Sequence, residues 1–154
     1  LLARLHHLYR PERLSLFLAR DPDRSDMVEA GRRPEELPAA RELPLDDPVV
    51  QFLDRLRRPV FTEEFEDWAC GSTACLAERS ALSPDTELLI PLVTGNRLFG
   101  LLAWGPKTGG TLYSQEDLNE VLVEAETIDA VLSKRGCITT VCDCGSAAIE
   151  AING

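Results

Sequence analysis

Two apolar runs separated by a short turn constrain the fold of this chain more than any other feature. The first, Glu87 to Val93, reads Glu-Leu-Leu-Ile-Pro-Leu-Val, and the second, Leu98 to Trp104, reads Leu-Phe-Gly-Leu-Leu-Ala-Trp. Thr94-Gly95-Asn96 lies between them and has the composition of a tight turn. Short apolar runs bounded by turn residues are typical of buried strands. The spacing predicts an antiparallel hairpin, with an edge or a bulge at the proline.

Helical segments flank these strands. Residues 1–9 carry leucines at helical spacing, and Asp47-Pro48 has the features of a helix start, with Asp as the cap and proline in the first turn. Ser114 to Asp117 resembles a capping box and opens a long amphipathic helix. Arg13 to Ala19 predicts a further strand. Strands joined by hairpins and framed by helices favour an α/β fold of the α+β kind with an antiparallel sheet.

The charge and cysteine content narrow the classes of partner and compartment. The formal net charge is -10, and a strongly acidic surface repels phosphate backbones and anionic headgroups. We therefore expect no nucleic-acid binding. We also expect no membrane insertion, because no apolar run approaches the roughly 20 residues of a spanning helix. Five cysteines cannot form a complete set of internal disulfides, which favours the reducing cytoplasm.

The second half of the chain carries a series of motifs in a characteristic order. A strand with Pro-Leu is followed by Arg97–Ala103 with Gly-Leu-Leu, by Gly-Pro-Lys at 105–107, and by Tyr-Ser-x-Glu-Asp-Leu at 113–118. This order resembles GAF domains, especially those of bacterial sensor histidine kinases and related signalling regulators. The resemblance delimits a GAF-like domain over residues 1–135. It leaves residues 136–154 as a Cys-containing C-terminal extension of unknown role.

The resemblance implies both a fold and a role. The fold is an antiparallel sheet of five to six strands, with the terminal helices on one face and with loops and short helices forming a pocket on the other. The role is sensory or regulatory: the domain binds a small ligand, or relays a signal through its terminal helices to an attached kinase or phosphatase output domain. Such helices also pair across a homodimer, and we assign Leu1, Leu2, Leu5 and Val131 to that contact.

The sequence identifies neither the ligand nor a cofactor. The motif Asn-Lys-x-x-x-Phe-x-x-x-Asp-Glu of cyclic-nucleotide-binding GAF domains is absent. The two histidines, His6 and His7, both precede the first strand, so the pocket segment offers no His for a bilin or a haem. A Ser-His or Cys-His catalytic arrangement would have to use these same two residues. We therefore expect a binding domain and not an enzyme.

The predicted pocket residues come mainly from the variable segment 31–86. They are Phe61, Phe65, Trp68, Cys70 and Cys75. Each aromatic ring there either packs in the core or forms a platform for a ligand. Gly100 completes the set, because a residue without Cβ permits close approach of a packing side chain or of a ligand to the sheet.

The cysteines support two alternatives to this interpretation. Cys70 and Cys75 are spaced C-x4-C, and Cys137, Cys142 and Cys144 are spaced C-x4-C-x-C. Thiolates bind zinc, copper(I) and iron–sulfur clusters, so one alternative is a thiol-based redox or metal sensor with the last three cysteines as ligands. The spacing matches no standard zinc or ferredoxin pattern. The cysteines can equally be small core residues and incidental thiols.

The second alternative is enzymatic. The run Ala-Cys-Gly-Ser-Thr-Ala around Cys70 is similar to the Cys-Gly loop of free methionine sulfoxide reductases, which use a GAF fold with redox cysteines. The downstream Cys pattern and the acidic substrate-binding motif of that family are missing. The resemblance to a reductase is therefore confined to this one loop.

Overall fold

The computed structural model describes residues 2–20, 26–33, 41–69 and 80–134, which form four helices and six strands. The helices are α1 (Leu2–Tyr9), α2 (Pro48–Leu56), α3 (Thr62–Ala69) and α4 (Gln115–Lys134). The strands are β1 (Leu14–Ala19), β2 (Met27–Arg33), β3 (Glu42–Leu43), β4 (Val60–Phe61), β5 (Leu88–Thr94) and β6 (Arg97–Trp104).

The six strands form one sheet, in the order β3-β2-β1-β6-β5-β4, and every neighbouring pair is antiparallel. β6 lies in the middle, where Leu102 pairs with Leu16 of β1 on one side and with Ile90 of β5 on the other. The predicted hairpin joins β5 to β6, and Gly95 in its turn has a φ of 59°. The antiparallel sheet expected from the sequence is therefore confirmed.

Pro91 lies in β5, where the sequence predicted an edge or a bulge. β4 pairs only with Leu88 and Leu89, so no strand in the described ranges covers the outer side of β5 at Pro91. The register between β5 and β6 also shifts between Leu92 and Val93. Both features that tolerate a proline in a strand are therefore present here.

The terminal helices α1 and α4 cover one face of the sheet, as predicted. Alternate residues of a strand point to the same face, and those on this face form a core with α1 and α4. The strand residues of this core are Leu14, Leu16, Leu18, Leu88, Ile90, Leu92, Phe99, Leu102 and Trp104. Leu2 and Leu5 of α1 are fully buried in the same core. Their assignment to a partner helix is wrong, while Leu1 and the side chain of Val131 lie outside the described residues.

Helices α2 and α3 cover the opposite face, where loops and short helices were expected. A second core fills the space between them and the sheet. Its members include Phe17, Met27, Leu43, Val49, Val50, Phe52, Leu53, Phe65, Leu89, Leu101 and Ala103. The sheet therefore separates two apolar layers, one under the terminal helices and one under α2 and α3.

The long helix α4 begins at the predicted capping box. The Asp117 N–H donates to Ser114 Oγ at 3.1 Å, and the Ser114 N–H donates to Asp117 Oδ2 at 2.8 Å. Lys107 adds an ion pair to the same carboxylate at 2.9 Å. The reciprocal bonds satisfy two N–H groups that a helix start would leave free. No helix in the described ranges, α4 included, is long and apolar enough to cross a membrane.

Gly100 lies at a close approach of β6 to β1. A Cβ atom on Gly100 would lie 2.6 Å from the carbonyl oxygen of Phe17 and 3.0 Å from Leu18 Cδ2. Leu18 belongs to the core under the terminal helices, so a side chain at position 100 would point toward that face. Because the closest atom is backbone, no side-chain rotation relieves the contact, and the strands themselves would have to separate.

We expect Gly100→Ala to lower the free energy of unfolding by about 2–3 kcal/mol, the upper part of the range for overpacked sites. Gly110→Ala is the matched control, because a Cβ at Gly110 meets nothing within 4 Å and only its φ of 72° is unfavourable. The control should lose about 1 kcal/mol. Urea unfolding with an unchanged m-value measures both losses, and equal losses would contradict the steric explanation.

A buried carboxylate links β2 to the residue that precedes β3. The Glu29 side chain is 2% exposed and accepts hydrogen bonds from the Arg32 guanidinium, from Arg41 Nη2 at 3.2 Å and from the Arg41 N–H at 3.3 Å. Arg41 also donates to Ser15 Oγ at 3.3 Å and lies over the Phe17 ring. Burial alone would raise the pKa of Glu29, but the hydrogen bonds from Arg41 and Arg32 outweigh it, and the pKa is lowered.

The lowered pKa predicts a pH-dependent contribution to stability. A carboxyl group whose pKa is lower in the folded state stabilises the fold above its ordinary value of 4.5, and this contribution is lost as pH falls through the folded-state pKa. We expect Glu29→Gln to cost about 2 kcal/mol near neutral pH, because it removes the buried carboxylate from two partly exposed guanidinium groups. The cost should shrink below about pH 4.

Thermal unfolding of both proteins between about pH 3 and pH 7 measures this difference. Glu66→Gln, which changes an exposed carboxylate on α3, serves as the control. A gap between wild type and Glu29→Gln that stays constant over the whole pH range would contradict the role of the charged form.

Candidate ligand-binding site

Helix α2 is held at its start by one carboxylate. Asp47 is buried, and its Oδ1 accepts the Val49 N–H at 2.9 Å, which confirms the predicted N-cap. Its Oδ2 accepts the Ser80 hydroxyl at 3.0 Å and the Ala81 N–H at 3.1 Å. Pro48 occupies the first turn, where its missing N–H has no cost. Asp47 therefore fixes the start of α2 to the segment that leads into β5.

Helix α2 is held at its end by Arg57. This residue has φ 53° and ψ 32°, a left-handed conformation that costs a residue with a side chain about 1–2 kcal/mol. Its N–H donates to the Leu53 carbonyl at 2.8 Å, and its Nε donates to the Asp54 carbonyl at 2.9 Å. Its Nη1 donates to Asn96 Oδ1 in the β5–β6 turn. Arg57 thus closes α2 and joins it to the hairpin.

A cavity of about 370 Å³ lies between α2, the start of β2 and the hairpin turn. Its lining residues are Met27, Leu45, Val50, Gln51, Asp54, Arg57, Asn96, Arg97 and Leu98. This volume is at the small end of the range of roughly 300–1,000 Å³ that is usual for ligand pockets. The cavity is on the sheet face opposite the terminal helices, which is the face where the sequence predicted a pocket.

The lining divides into an apolar floor and a polar rim. Met27, Val50 and Leu98 are buried members of the second core or its border and form the floor. The rim carries the charged side chains of Asp54, Arg57 and Arg97. Arg57 Nη2 lies 3.7 Å from Asp54 Oδ1. An apolar surface with a few polar groups is the usual composition of a site that orients a small molecule.

Two of the predicted pocket residues lie together, but beside the cavity and not in it. Phe65 and Trp68 of α3 have ring centroids 5.9 Å apart, and both contact Phe52 of α2. Phe65 is buried, whereas Trp68 is 48% exposed. Phe52 is on a different side of α2 from Val50, because two residues span about 200° of a helix. The aromatic cluster therefore supports α2 from the side away from the cavity.

The other predicted pocket residues lie elsewhere. Phe61 is partly buried against the core under the terminal helices, and Gly100 faces the same core. The sequence predicted one shared pocket wall for these residues and the Phe65–Trp68 pair. In the structure the sheet lies between the two groups. Cys70 and Cys75 fall outside the described residues, so their part in a pocket stays a prediction.

The candidate metal ligands Cys137, Cys142 and Cys144 also fall outside the described residues. Within the described ranges, no group of three or more His, Cys, Asp or Glu side chains is placed to hold a metal ion. The thiol-sensor and reductase alternatives both depend on cysteines outside these ranges, and they stay predictions.

The sequence did not predict the residues that form the rim. It predicted the start of α2 at Asp47-Pro48 and the turn at Thr94-Gly95-Asn96, but not that the end of α2 meets this turn. The available signal was the run Arg57-Arg58-Pro59, in which a proline ends a helix just after two cations. That signal marks a helix end but carries no information about what the arginine contacts.

Comparison with known proteins separates sequence similarity from structural similarity. The sequence matches no protein-family model. It also matches no curated protein. Solved structures, by contrast, share its architecture at low sequence identity.

Three similar structures are domains of larger bacterial proteins. The GAF domain of an Acinetobacter phosphoenolpyruvate-protein phosphotransferase superposes with a TM-score of 0.65 at 11% identity, over 91% of this chain and 82% of that one. A GAF domain/HD domain protein from Geobacter sulfurreducens superposes with a TM-score of 0.59 at 15% identity, over 86% of this chain and 89% of that one. The GAF domain of a two-component sensor histidine kinase from Bacillus halodurans superposes with a TM-score of 0.56 at 17% identity, over 83% of this chain and 85% of that one.

These superpositions cover more than three quarters of each chain, with TM-scores above 0.5. Identities this low establish the fold and leave ligand and activity open. The chain therefore has the fold of a GAF domain, as its hairpin and helix motifs predicted.

Proposed function

We propose that this chain is a regulatory domain that binds a small molecule and relays its presence to an attached output domain. The observation that carries the proposal is the cavity between α2, β2 and the hairpin turn, on the sheet face opposite the terminal helices. A ligand there would touch strands whose other face packs against α1 and α4. Sensing and output would then use opposite sides of one sheet.

The similar structures support the regulatory part of this proposal. They are GAF domains of a sensor histidine kinase, of a phosphoenolpyruvate-protein phosphotransferase and of a protein with an HD domain. In each, the GAF domain occurs together with another named activity or domain. By analogy we propose a kinase or phosphatase output for this domain and no catalytic activity of its own.

The contacts of α1 offer a route for the relay. Leu2 Cδ1 lies 2.8 Å from the position that a Cβ on Gly31 of β2 would occupy, so α1 packs directly on the backbone of β2. The same strand begins with Met27 in the cavity floor. Tyr9 Oη donates to Glu120 of α4 at 3.1 Å, which joins the two terminal helices. A ligand that favours one position of β2 would shift the populations of both helices.

Ligand binding is testable with compounds of several classes. We expect at least one class among nucleotides, amino acids and organic acids to raise the melting temperature. At about 100 times its Kd a ligand adds about 2.7 kcal/mol, or roughly 5–10 °C for a domain of this size. Gln51→Trp, at an exposed cavity-lining position of α2, should abolish the rise.

Arg55→Trp is the matched control for this experiment, because Arg55 is exposed on the same helix but does not line the cavity. It should keep the response of the wild-type protein. If no compound raises the melting temperature, or if both tryptophan variants respond alike, the cavity is not the ligand site.

We also propose that the domain forms a homodimer through its terminal helices. Leu8 of α1 and Leu122 and Val123 of α4 are exposed apolar residues on these helices. Exposed apolar side chains that recur on neighbouring elements favour a contact with another protein surface. Leu122 is 41% exposed and is therefore available for such a contact.

Val123→Glu should weaken the dimer at least about 10-fold, because the contact would bury an unpaired carboxylate. Leu112→Glu is the control, since Leu112 is 84% exposed but precedes α4. Sedimentation analysis over a range of protein concentrations measures both. A monomer at all concentrations, or a dimer unaffected by Val123→Glu, would refute pairing through α4.

A further inference from the structure

The rim of the cavity has a charge opposite to that of the protein. Among the lining residues, Arg57 and Arg97 are cationic and Asp54 is anionic, which gives a formal charge of +1. The whole chain carries a formal charge of -10. A cationic spot on a strongly acidic protein concentrates the local field at one place and favours a negatively charged group there.

The floor of the cavity has a different chemistry. Met27, Val50 and Leu98 are buried and uncharged, and Leu45 adds an apolar side chain at the mouth. A ligand that fills this space removes apolar surface from water only if its own body is apolar. Floor and rim together therefore fit a molecule with one charged end and one apolar end.

Arg57 is the rim residue best placed to bind the charged end. A guanidinium has five N–H donors in a planar fork, which matches the two oxygens of a carboxylate. In Arg57, Nε is bonded to the Asp54 carbonyl and Nη1 to Asn96 Oδ1. Nη2 is 3.7 Å from the Asp54 carboxylate, beyond ordinary hydrogen-bond distance. Nη2 is therefore the least engaged of the three guanidinium nitrogens.

Asp54 limits which anions fit. A carboxylate bound by Arg57 already lies near the Asp54 carboxylate, and a second negative charge on the ligand would add to this repulsion. This arrangement selects against phosphates and dicarboxylates, because specificity depends on the groups that a site rejects as well as on those it attracts.

We propose that the cavity binds a small monocarboxylate with an apolar body, and that Arg57 recognises the carboxylate. This inference rests on the proposed function, because it names the ligand class of the same cavity. The ligand carboxylate competes with Asn96 and Asp54 for the Arg57 guanidinium. Binding therefore loosens the bond between the end of α2 and the hairpin turn.

The sequence contains one methionine, Met27, which lines the cavity, so its methyl group provides a specific probe. The full chain with a ¹³C-labelled methionine methyl group is titrated with isocaproate, with its uncharged analogue isocaproamide, with methylsuccinate as a dicarboxylate and with AMP as a phosphate. We expect a saturable shift of the Met27 resonance with isocaproate. The other three compounds should bind at least about 10-fold more weakly. Isocaproamide lacks the charge-assisted hydrogen bond, and methylsuccinate and AMP bring a second negative charge close to Asp54.

Arg57→Gln should remove the preference for isocaproate over isocaproamide. Arg58→Gln is the matched control, because the neighbouring Arg58 pairs with Glu64 at 2.6 Å and does not line the cavity. It should bind both compounds as the wild-type protein does. Loss of the preference in both variants would overturn the assignment to Arg57.

Asn96→Ala distinguishes recognition by Arg57 from a merely structural role. If Arg57 only holds α2 to the hairpin, then removing Asn96 breaks the same link and should weaken binding as Arg57→Gln does. If the ligand competes with Asn96, its removal frees Nη1 and should tighten isocaproate binding severalfold. Weaker binding by Asn96→Ala would overturn the competition.

The outcomes separate this inference from the function on which it rests. A Met27 resonance that shifts with AMP, methylsuccinate or isocaproamide as strongly as with isocaproate contradicts the ligand class but supports a ligand site in the cavity. A resonance that none of the four compounds shifts contradicts the ligand class. If no compound of the wider panel then raises the melting temperature, the proposed function fails as well.

Discussion

The close approach of β1 and β6 at Gly100 is the constraint on which the rest of the structure depends. The Phe17 carbonyl occupies the place where a side chain of residue 100 would begin. Because β6 is paired on both sides, this contact sets the spacing of β1 and β5 at the same time. The side chains of Leu18 and Leu92 then close over the backbone and form the middle of the core under the terminal helices.

The sheet built on this contact divides the molecule into two layers with different tasks. The layer under α1 and α4 is apolar and closely packed, and the Trp104 ring contacts the rings of both Tyr9 and Tyr113. The layer under α2 and α3 has the charged features, namely Glu29 with its two arginines and the rim at Arg57. A fold of this kind can vary its charged layer without disturbing α1 and α4, because the two layers share only the strands.

The sequence predicted those parts of the fold that depend on neighbouring residues. The hairpin, the cap at Asp47 and the capping box at Ser114 each follow from a few consecutive side chains, and the structure has all three. The predictions that failed concern which side of a helix or strand packs against the core. Leu2 and Leu5 were assigned to a partner helix, yet both pack on the sheet, because β2 has a glycine beneath Leu2 and lets α1 approach.

The candidate site was less predictable for the same reason. Phe65 and Trp68 do lie together, but Phe61 and Gly100 face the opposite core, and a strand that is two residues long gives too little periodicity to tell which way Phe61 points. The contact of Arg57 with Asn96 joins residues 39 positions apart. It depends on where α2 lies over the sheet, which local propensity does not specify.

Pro91 has a consequence for how this molecule avoids unwanted assembly. The Glu87 carbonyl accepts the Thr62 N–H at 3.0 Å, so the backbone groups of alternate residues, Pro91 among them, face the outer side of β5. β4 ends before it reaches that level. A strand from another molecule that paired with β5 there would lack one hydrogen bond, because Pro91 has no N–H to donate. The proline thus protects this border of the sheet from fibril-like growth.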